Sequence, residues 1–205
     1  LGNNAFDYCD NLTAVDFSAC TKLTTVGSNA FANSGLKSVD FSACTKLTAI
    51  GDYAFYQNNA LTSVKFPESL TELGQYAFAY CSALEGADFS KTSVKTIREG
   101  TFDESGIKSL KLSDSTTDIE YNAFISCTAL TSLELGKGLR NIGWQAFSYT
   151  GITSLKLPDS VESIGSDAFG NCTSLTSIEW PDNEKFTTVQ GFEYCESLPV
   201  EEFNE

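Results

Sequence analysis

Apolar positions along the chain fall into two alternating kinds of block. In the first, apolar and polar residues alternate with the period of a strand, as in Leu130-Thr131-Ser132-Leu133-Glu134-Leu135, where Leu133 and Leu135 share one face. In the second, an Ala-Phe pair follows an Ile-Gly step, as in Ile142-Gly143-Trp144-Gln145-Ala146-Phe147. The Phe of this block recurs as Phe6, Phe31, Phe55, Phe78, Phe102, Phe124, Phe147, Phe169 and Phe192, at spacings of 25, 24, 23, 24, 22, 23, 22 and 23 residues. A fixed period in the twenties marks a small unit that buries its apolar face only by stacking on its neighbours. The pattern predicts a solenoid of about nine repeats of 22–25 residues, one domain over 1–205, with stacked strands forming a parallel sheet on one face.

Strand segments begin at Leu12, Leu36, Leu61, Leu84, Ile107, Leu130, Ile152 and Leu175, eight in all. Pro67, Pro158 and Pro181 follow the strands and stop the ladder, because proline has no N–H to donate. A second short extended piece, such as Leu70-Thr71-Glu72-Leu73, then leads into the next Ala-Phe block. That block is too short for an ordinary helix and predicts one helical or 3-10 turn, with Gly2, Gly27, Gly51, Gly74, Gly143 and Gly165 easing the bend from strand to turn. Three linkers, Ser34-Gly35-Leu36, Ser105-Gly106-Ile107 and Thr150-Gly151-Ile152, lack one residue relative to Cys-x-x-Leu, and Gly is expected to supply the tighter bend. Near the end, Val189-Gln190-Gly191-Phe192 reads as two residues short. Residues 189–205 form a degenerate last repeat or a cap, since Pro199 lacks a donor and Glu201 falls in an inward slot.

The Leu-x-x-Leu-x-Leu form of residues 130–135, joined to the Ile-Gly-x-x-Ala-Phe block, resembles the BspA-like, or treponemal-type, leucine-rich repeat family over nearly the whole chain. The resemblance implies a curved leucine-rich repeat solenoid found on bacterial and protozoan cell surfaces, whose members bind host matrix proteins or other cells. It names no catalytic residues to carry over.

Charge narrows the partner. Thirteen basic and 27 acidic side chains leave a net −14, which disfavours nucleic acid and anionic lipid and suits a cationic or neutral protein or a glycan. No apolar run approaches the roughly 18 residues of a membrane span, so no membrane insertion is expected. With no His, no Cys-x-x-Cys and no phosphate-cradling loop, the sequence offers neither a triad, a zinc site nor a cofactor site, and a non-enzymatic role is expected. The chain has no Met and begins with Leu1 in the Ile slot, so an N-terminally incomplete stack is expected, open at that end to self-association. End-to-end assembly into a scaffold is therefore the alternative to a binding role, and an accessory domain of an enzyme ranks below both. The localisation expected is extracellular or cell surface.

Seven cysteines cannot all pair within the chain. Cys9, Cys81, Cys127, Cys172 and Cys195 fall three residues after the repeat Phe, where other repeats place Ser34, Asn58, Ser105 and Thr150. Two readings stand. One is a ladder of small buried residues. The other pairs Cys20 with Cys44 and Cys172 with Cys195, because equivalent positions of adjacent strands lie about 4.8 Å apart, within disulfide reach.

Two surfaces are candidates for binding. On the strand face the outward column reads Asp16, Asp40, Lys65, Asp88, Lys111, Glu134, Lys156 and Glu179, alternating in sign from Lys65 onward. It is either a self-neutralised ladder that fixes register or, with neighbouring Ser and Thr, a polar face for an extended polypeptide or glycan. On the turn side, all eight tyrosines lie in or beside the Ala-Phe blocks. Tyr53, Tyr56, Tyr76 and Tyr80 are expected to form one exposed patch, with Tyr121, Trp144 and Tyr149 further along, either as a binding site or as rings shielding the core.

Overall fold

Fifteen short strands, β1–β15, wind the chain into a solenoid in the computed structural model, which describes residues 1–188 and 190–199. The even-numbered strands carry three residues each: β2 Ser38–Asp40, β4 Ser63–Lys65, β6 Gly86–Asp88, β8 Ser109–Lys111, β10 Ser132–Glu134, β12 Ser154–Lys156 and β14 Ser177–Glu179. The odd-numbered strands carry two: β1 Thr25–Val26, β3 Ala49–Ile50, β5 Glu72–Leu73, β7 Thr96–Ile97, β9 Asp118–Ile119, β11 Asn141–Ile142, β13 Ser163–Ile164 and β15 Thr187–Thr188. One even and one odd strand make a turn of the solenoid, so seven turns are complete among the described residues.

All strand pairs are parallel and join equivalent residues of successive repeats. Lys111 lies opposite Asp88 on one side and Glu134 on the other, and Ile142 opposite Ile119 and Ile164. This register is dictated by alternation, since a slip of one residue would turn every inward Leu, Ile or Val to solvent. Leu110, Leu155 and Ile178 accordingly face the core while Lys111, Lys156 and Glu179 face out.

The strand reading holds for seven of the eight expected segments. The segment starting at Leu12 is not a strand: Leu12 and Val15 are only half-buried, and the backbone there is tied to the next repeat by a bond from Lys37 N to Thr13 O of 3.2 Å. It has a neighbour on one side only.

The Ala-Phe blocks are not helical, and no helix occurs among the described residues. Each block is a run of tight turns with two residues in the left-handed region four positions apart, such as Asn29 (φ 54) and Asn33 (φ 51) around Ala30-Phe31. A helix cannot pass through such residues. The backbone bonds explain the geometry: within the block Ala30 N donates to Gly27 O and Ala32 N to Asn29 O, while Asn29, Phe31 and Asn33 donate across to Asp52, Ala54 and Tyr56 of the next repeat. The turn is thus a third hydrogen-bonded edge of the solenoid, with left-handed residues where type II turns require them.

The core is a ladder of phenylalanines. The nine repeat Phe rings stack in sequence, with centroids 4.9–5.4 Å apart and planes within 13° of parallel. Offset stacking of this kind adds about 0.5–1.5 kcal/mol per pair beyond area burial. Trp180 packs partly buried at the lower end, its ring 5.4 Å from Phe192. The spacing there corrects the sequence reading: Thr188 pairs with Ile164 and Phe192 stacks on Phe169, so the last block is one residue short rather than two. Phe192, Cys195 and Leu198 are buried, whereas the inward slot assigned to Glu201 lies outside the described residues.

The glycines serve close approach rather than a bend. A Cβ on Gly35, Gly106 or Gly151 would stand 2.2, 2.0 or 2.5 Å from a backbone carbonyl oxygen of the preceding repeat. One on Gly74 would stand 2.3 Å from the Gly51 carbonyl carbon. Neither group shows the positive φ for which glycine is usually needed.

Candidate binding surface

The strand face consumes its own charge. Lys65 pairs with Asp40 at 2.8 Å, Lys111 with Glu134 at 2.9 Å, Lys108 with Glu85 at 3.2 Å, and Lys156 with Glu179. Each lysine of the column reaches one carboxylate rather than bridging two, so Asp88, though opposite Lys111, takes a different partner. Its Oδ1 accepts from Ser90 N at 2.8 Å, just as Asp16 accepts from Ser18 and Asp40 from Ser42. These aspartates cap the turns after their strands, a local role that Asp-Phe-Ser spells out in sequence. The Lys65 and Ser42 hydrogen bonds hold the Asp40 carboxyl down at about 2.

The cysteine slot is a column of buried donors. Cys81, Cys127, Cys172 and Cys195 point Sγ at the carbonyls of Phe55, Phe102, Phe147 and Phe169, at 3.0–3.2 Å, and Asn58 Nδ2 reaches Phe31 O at 2.7 Å. Each donor reaches the carbonyl of the preceding repeat's Phe inside the core, a second hydrogen bond where that carbonyl also accepts from its own turn, as Phe55 O does from Asn58 N and Phe102 O from Ser105 N. All seven cysteines are free, and the Cys172–Cys195 and Cys20–Cys44 pairings are not formed. Cys172 and Cys195 instead use their sulfurs on successive carbonyls. Burial pushes the Cys81 and Cys127 thiols up to about 12, which makes them poor nucleophiles. The signal was present in sequence, because the residues that replace Cys in the slot, Ser34, Asn58, Ser105 and Thr150, all carry hydrogen-bond donors.

The tyrosines gather on the turn edge. Tyr53 stacks on Tyr76 at 5.2 Å, and Tyr56 stands edge-on to Tyr53 at 5.6 Å and to Tyr80 at 5.4 Å. The four expected rings therefore form one cluster, but only Tyr53 is exposed, while Tyr56, Tyr76 and Tyr80 are half-buried against one another. Tyr76 is fixed from the other side as well: its ring lies over Gly100, where a Cβ would come within 2.2 Å, and its hydroxyl donates to Glu99 Oε1 at 2.7 Å. Tyr121 shares Glu99, and that hydrogen bond raises the phenol's pKa, as it does for Tyr76. Tyr121 thus extends the cluster by a repeat. Trp144 and Tyr149 lie beyond it on the same edge, exposed, with no ring contact to the cluster among the described residues.

Glu99 and Asp103, neither singled out by the sequence, complete the surface. Asp103 occupies the position held by Ala79 and Ile125 in the adjoining repeats, and it is half-buried. Burial first, and the Glu104 charge second, push its carboxyl up to about 6, and the Asp103 charge in turn raises the Tyr80 phenol. A carboxyl whose folded pKa exceeds its unfolded value of 3.8 binds more protons folded than unfolded between the two. Stability associated with Asp103 is therefore full below about pH 3.8 and lost as pH rises through about 6. Asp103→Asn should raise the melting temperature at neutral pH and leave it nearly unchanged at low pH. An equal gain at both would show that the ionised carboxylate is not the source of the cost.

With this geometry in hand, the chain can be placed. A model of the BspA type leucine rich repeat region, in six copies, matches residues 1–130 and 95–204. The chain belongs to the BspA-type leucine-rich repeat family. Solved leucine-rich repeat proteins are similar to it. A leucine-rich repeat protein from Bacteroides ovatus aligns with a TM-score of 0.67 at 23% identity, covering 100% of this chain and 60% of that protein. The T. pallidum leucine rich repeat protein aligns at 0.56 and 21% identity, covering 86% of this chain and 72% of that one. A leucine rich cell surface protein from Faecalibacterium prausnitzii aligns at 0.49 and 22% identity, over 97% and 74%. The chain spans about three-fifths of the Bacteroides protein's length. No curated protein matches it in sequence. Among the described residues of this BspA-type chain, no helix is long and apolar enough to cross a membrane, and no three His, Cys, Asp or Glu side chains gather as a metal site would require.

Proposed function

We propose that the chain is a non-enzymatic binding module of a cell-surface or secreted protein, and that it engages a protein or glycan partner through the tyrosine edge. The observation that carries this reading is the backbone beneath the rings. Tyr8, Tyr53, Tyr76, Tyr80, Tyr149 and Tyr194 all sit in the left-handed region, at φ 53 to 60. Asn, Asp and Gly tolerate that conformation, and the equivalent positions of other repeats use them, as Asn29, Asn122, Asp167 and Gly100. A bulky residue there carries strain of about 1 kcal/mol, which persists where the side chain serves another end. Burial is not that end for Tyr8, Tyr149 and Tyr194, which are 74%, 49% and 73% exposed. Tyrosine is enriched in binding hot spots because it offers large rigid area with few rotors to freeze.

A stability gain on removing a ring follows from this. Tyr149→Asn should stabilise the fold by about 0.5–1 kcal/mol, read as a shift in urea midpoint, because Asn relaxes the left-handed strain while little packing is lost. A destabilised variant would mean that the ring holds the core.

Binding is tested by presenting the purified chain to extracellular-matrix proteins and to a glycan array. Retention of at least one partner is expected, and it should be lost in the Tyr53→Asn/Tyr76→Asn variant. Circular dichroism of the variant should still report a folded solenoid. Equal retention by the folded variant, or no retention by the parent, would overturn the reading.

A further inference from the structure

The charges of this protein are sorted between its edges. The turn blocks, residues 2–9 and each later run from the residue after an odd-numbered strand to the donor slot, hold eight carboxylates and a single cation, Arg98. The other twelve cations lie elsewhere in the repeats, and all four ion pairs among the described residues are on the strand face. The edge that carries every tyrosine therefore carries carboxylates without a salt-bridge partner. Three of these converge on the tyrosine cluster. Glu99 accepts from Tyr76, and Asp103 and Glu104 act electrostatically on Tyr80.

Aromatic rings beside uncompensated carboxylates are complementary to one kind of side chain. A guanidinium or ammonium is drawn to the ring face by its quadrupole and to the carboxylate by charge, while its methylene stem packs on apolar surface. Arginine fits best, because its planar head can stack on a ring and fork to a carboxylate at once. Space for this exists at Tyr53, which is 37% exposed. One face of its ring is covered by Tyr76, and the preceding repeat places the shorter Asn29 at the same turn position.

We infer that the tyrosine edge takes an extended, arginine-rich polypeptide segment of a protein partner, whose cationic heads meet Glu99, Asp103 and Glu104 and whose stems lie on Tyr53, Tyr56 and Tyr80. This rests on the reading of that edge as a binding surface and narrows it to one partner chemistry. A strand-face site would behave otherwise, since its carboxylates are already paired with lysines.

The test is a titration with a short arginine-rich peptide free of aromatic residues, followed by calorimetry, against glutamate-rich and glycine-serine peptides of equal length. The arginine peptide should bind, more weakly as salt rises, and the other two should not. Glu99→Gln/Glu104→Gln and Tyr53→Asn/Tyr76→Asn should each weaken it about tenfold. These substitutions install residues that other repeats carry at the same positions, Gln75 and Gln57 in the first case and Asn29 in the second, so the fold is preserved. Glu68→Gln/Glu72→Gln removes the same charge from exposed sites off the edge and should change affinity by less than about twofold. Equal weakening by both glutamate pairs would reduce the effect to attraction by the net −14 and overturn the inference. So would an arginine peptide that fails to bind. If a matrix protein or glycan is meanwhile captured through the tyrosines, the broader binding reading survives and only the cationic partner is lost. Capture of nothing at all removes both.

Discussion

Phe124→Ala should lower stability by about 3–5 kcal/mol and should also break the cooperativity of unfolding. Phe124 is fully buried, with Phe102 at 5.4 Å on one face and Phe147 at 4.9 Å on the other. Its loss removes a large apolar volume and two stacking contacts, in a fold whose repeats are held only by their neighbours. The cavity cannot collapse by local repacking, because the backbone on either side is tied across repeats, with Phe124 N donating to Ala146 O at 2.8 Å. The two halves of the solenoid should therefore uncouple and melt as separate transitions in calorimetry, with hydrogen exchange fastest around the gap. Phe6→Ala is the internal control. Phe6 stacks on Phe31 alone and is only half-buried, so its truncation should cost less and leave one transition. Equal losses at the two positions would mean that the ladder is not what couples the repeats.

The solenoid was legible because its cause is periodic. One Phe recurring every 22 to 25 residues and one alternating strand per period leave stacking as the sole way to bury the apolar side, and both appear in the register of β8 and β10. The turns were not legible in the same way. A helical turn and a run of β-turns bury Ala30 and Phe31 equally well, so burial pattern does not separate them. What separates them is the left-handed backbone, and its signal is diluted because tyrosine, glutamine and glutamate occupy positions where Asn and Gly would have announced it. The same masking hid the donor column, since five cysteines read as small buried residues, or for Cys172 and Cys195 as a disulfide, and not as the hydrogen-bond donors that Asn58 shows openly.

The tyrosine cluster was foreseeable from two consecutive repeats rich in that residue, and the rings meet as expected. Glu99 and Asp103 were not. Their role depends on which side of the turn each side chain takes and on how far the neighbouring repeat covers it. Asp103 in particular looks like an ordinary surface acid until Ala79 and Ile125 are seen to adjoin it in the stack. Which charges find partners is likewise a property of the stack: Lys111 pairs with Glu134 at 2.9 Å, while Asp88, opposite it on the other side, accepts from Ser90 N.

Gly106→Ala is expected to be the most damaging alanine substitution among the three shortened linkers, at about 3 kcal/mol, the upper end of what overpacking costs. The added Cβ would lie 2.0 Å from Ser82 O and 2.7 Å from Ser82 C, both backbone atoms of the preceding repeat that no side-chain rotation can move aside. The linker cannot retreat either, because Gly106 N is bonded to Cys81 O at 3.1 Å and Ile107 is fully buried just beyond it. The three shortened linkers grade the effect. Clearance to the facing carbonyl oxygen grows from 2.0 Å at Gly106 to 2.2 Å at Gly35 and 2.5 Å at Gly151, so the cost of Ala should fall in that order, read as urea midpoints of the three variants. Equal costs would point to backbone freedom, since a steric clash must follow the distance. Length supplies the second arm. Three of the unshortened linkers carry alanine just before the buried Leu, as Ala60, Ala83 and Ala129. Inserting one residue into Ser105-Gly106-Ile107, to match Cys81-Ser82-Ala83-Leu84, should therefore make alanine tolerable there. If the lengthened linker still rejects alanine, the missing residue is not what presses Gly106 against its neighbour.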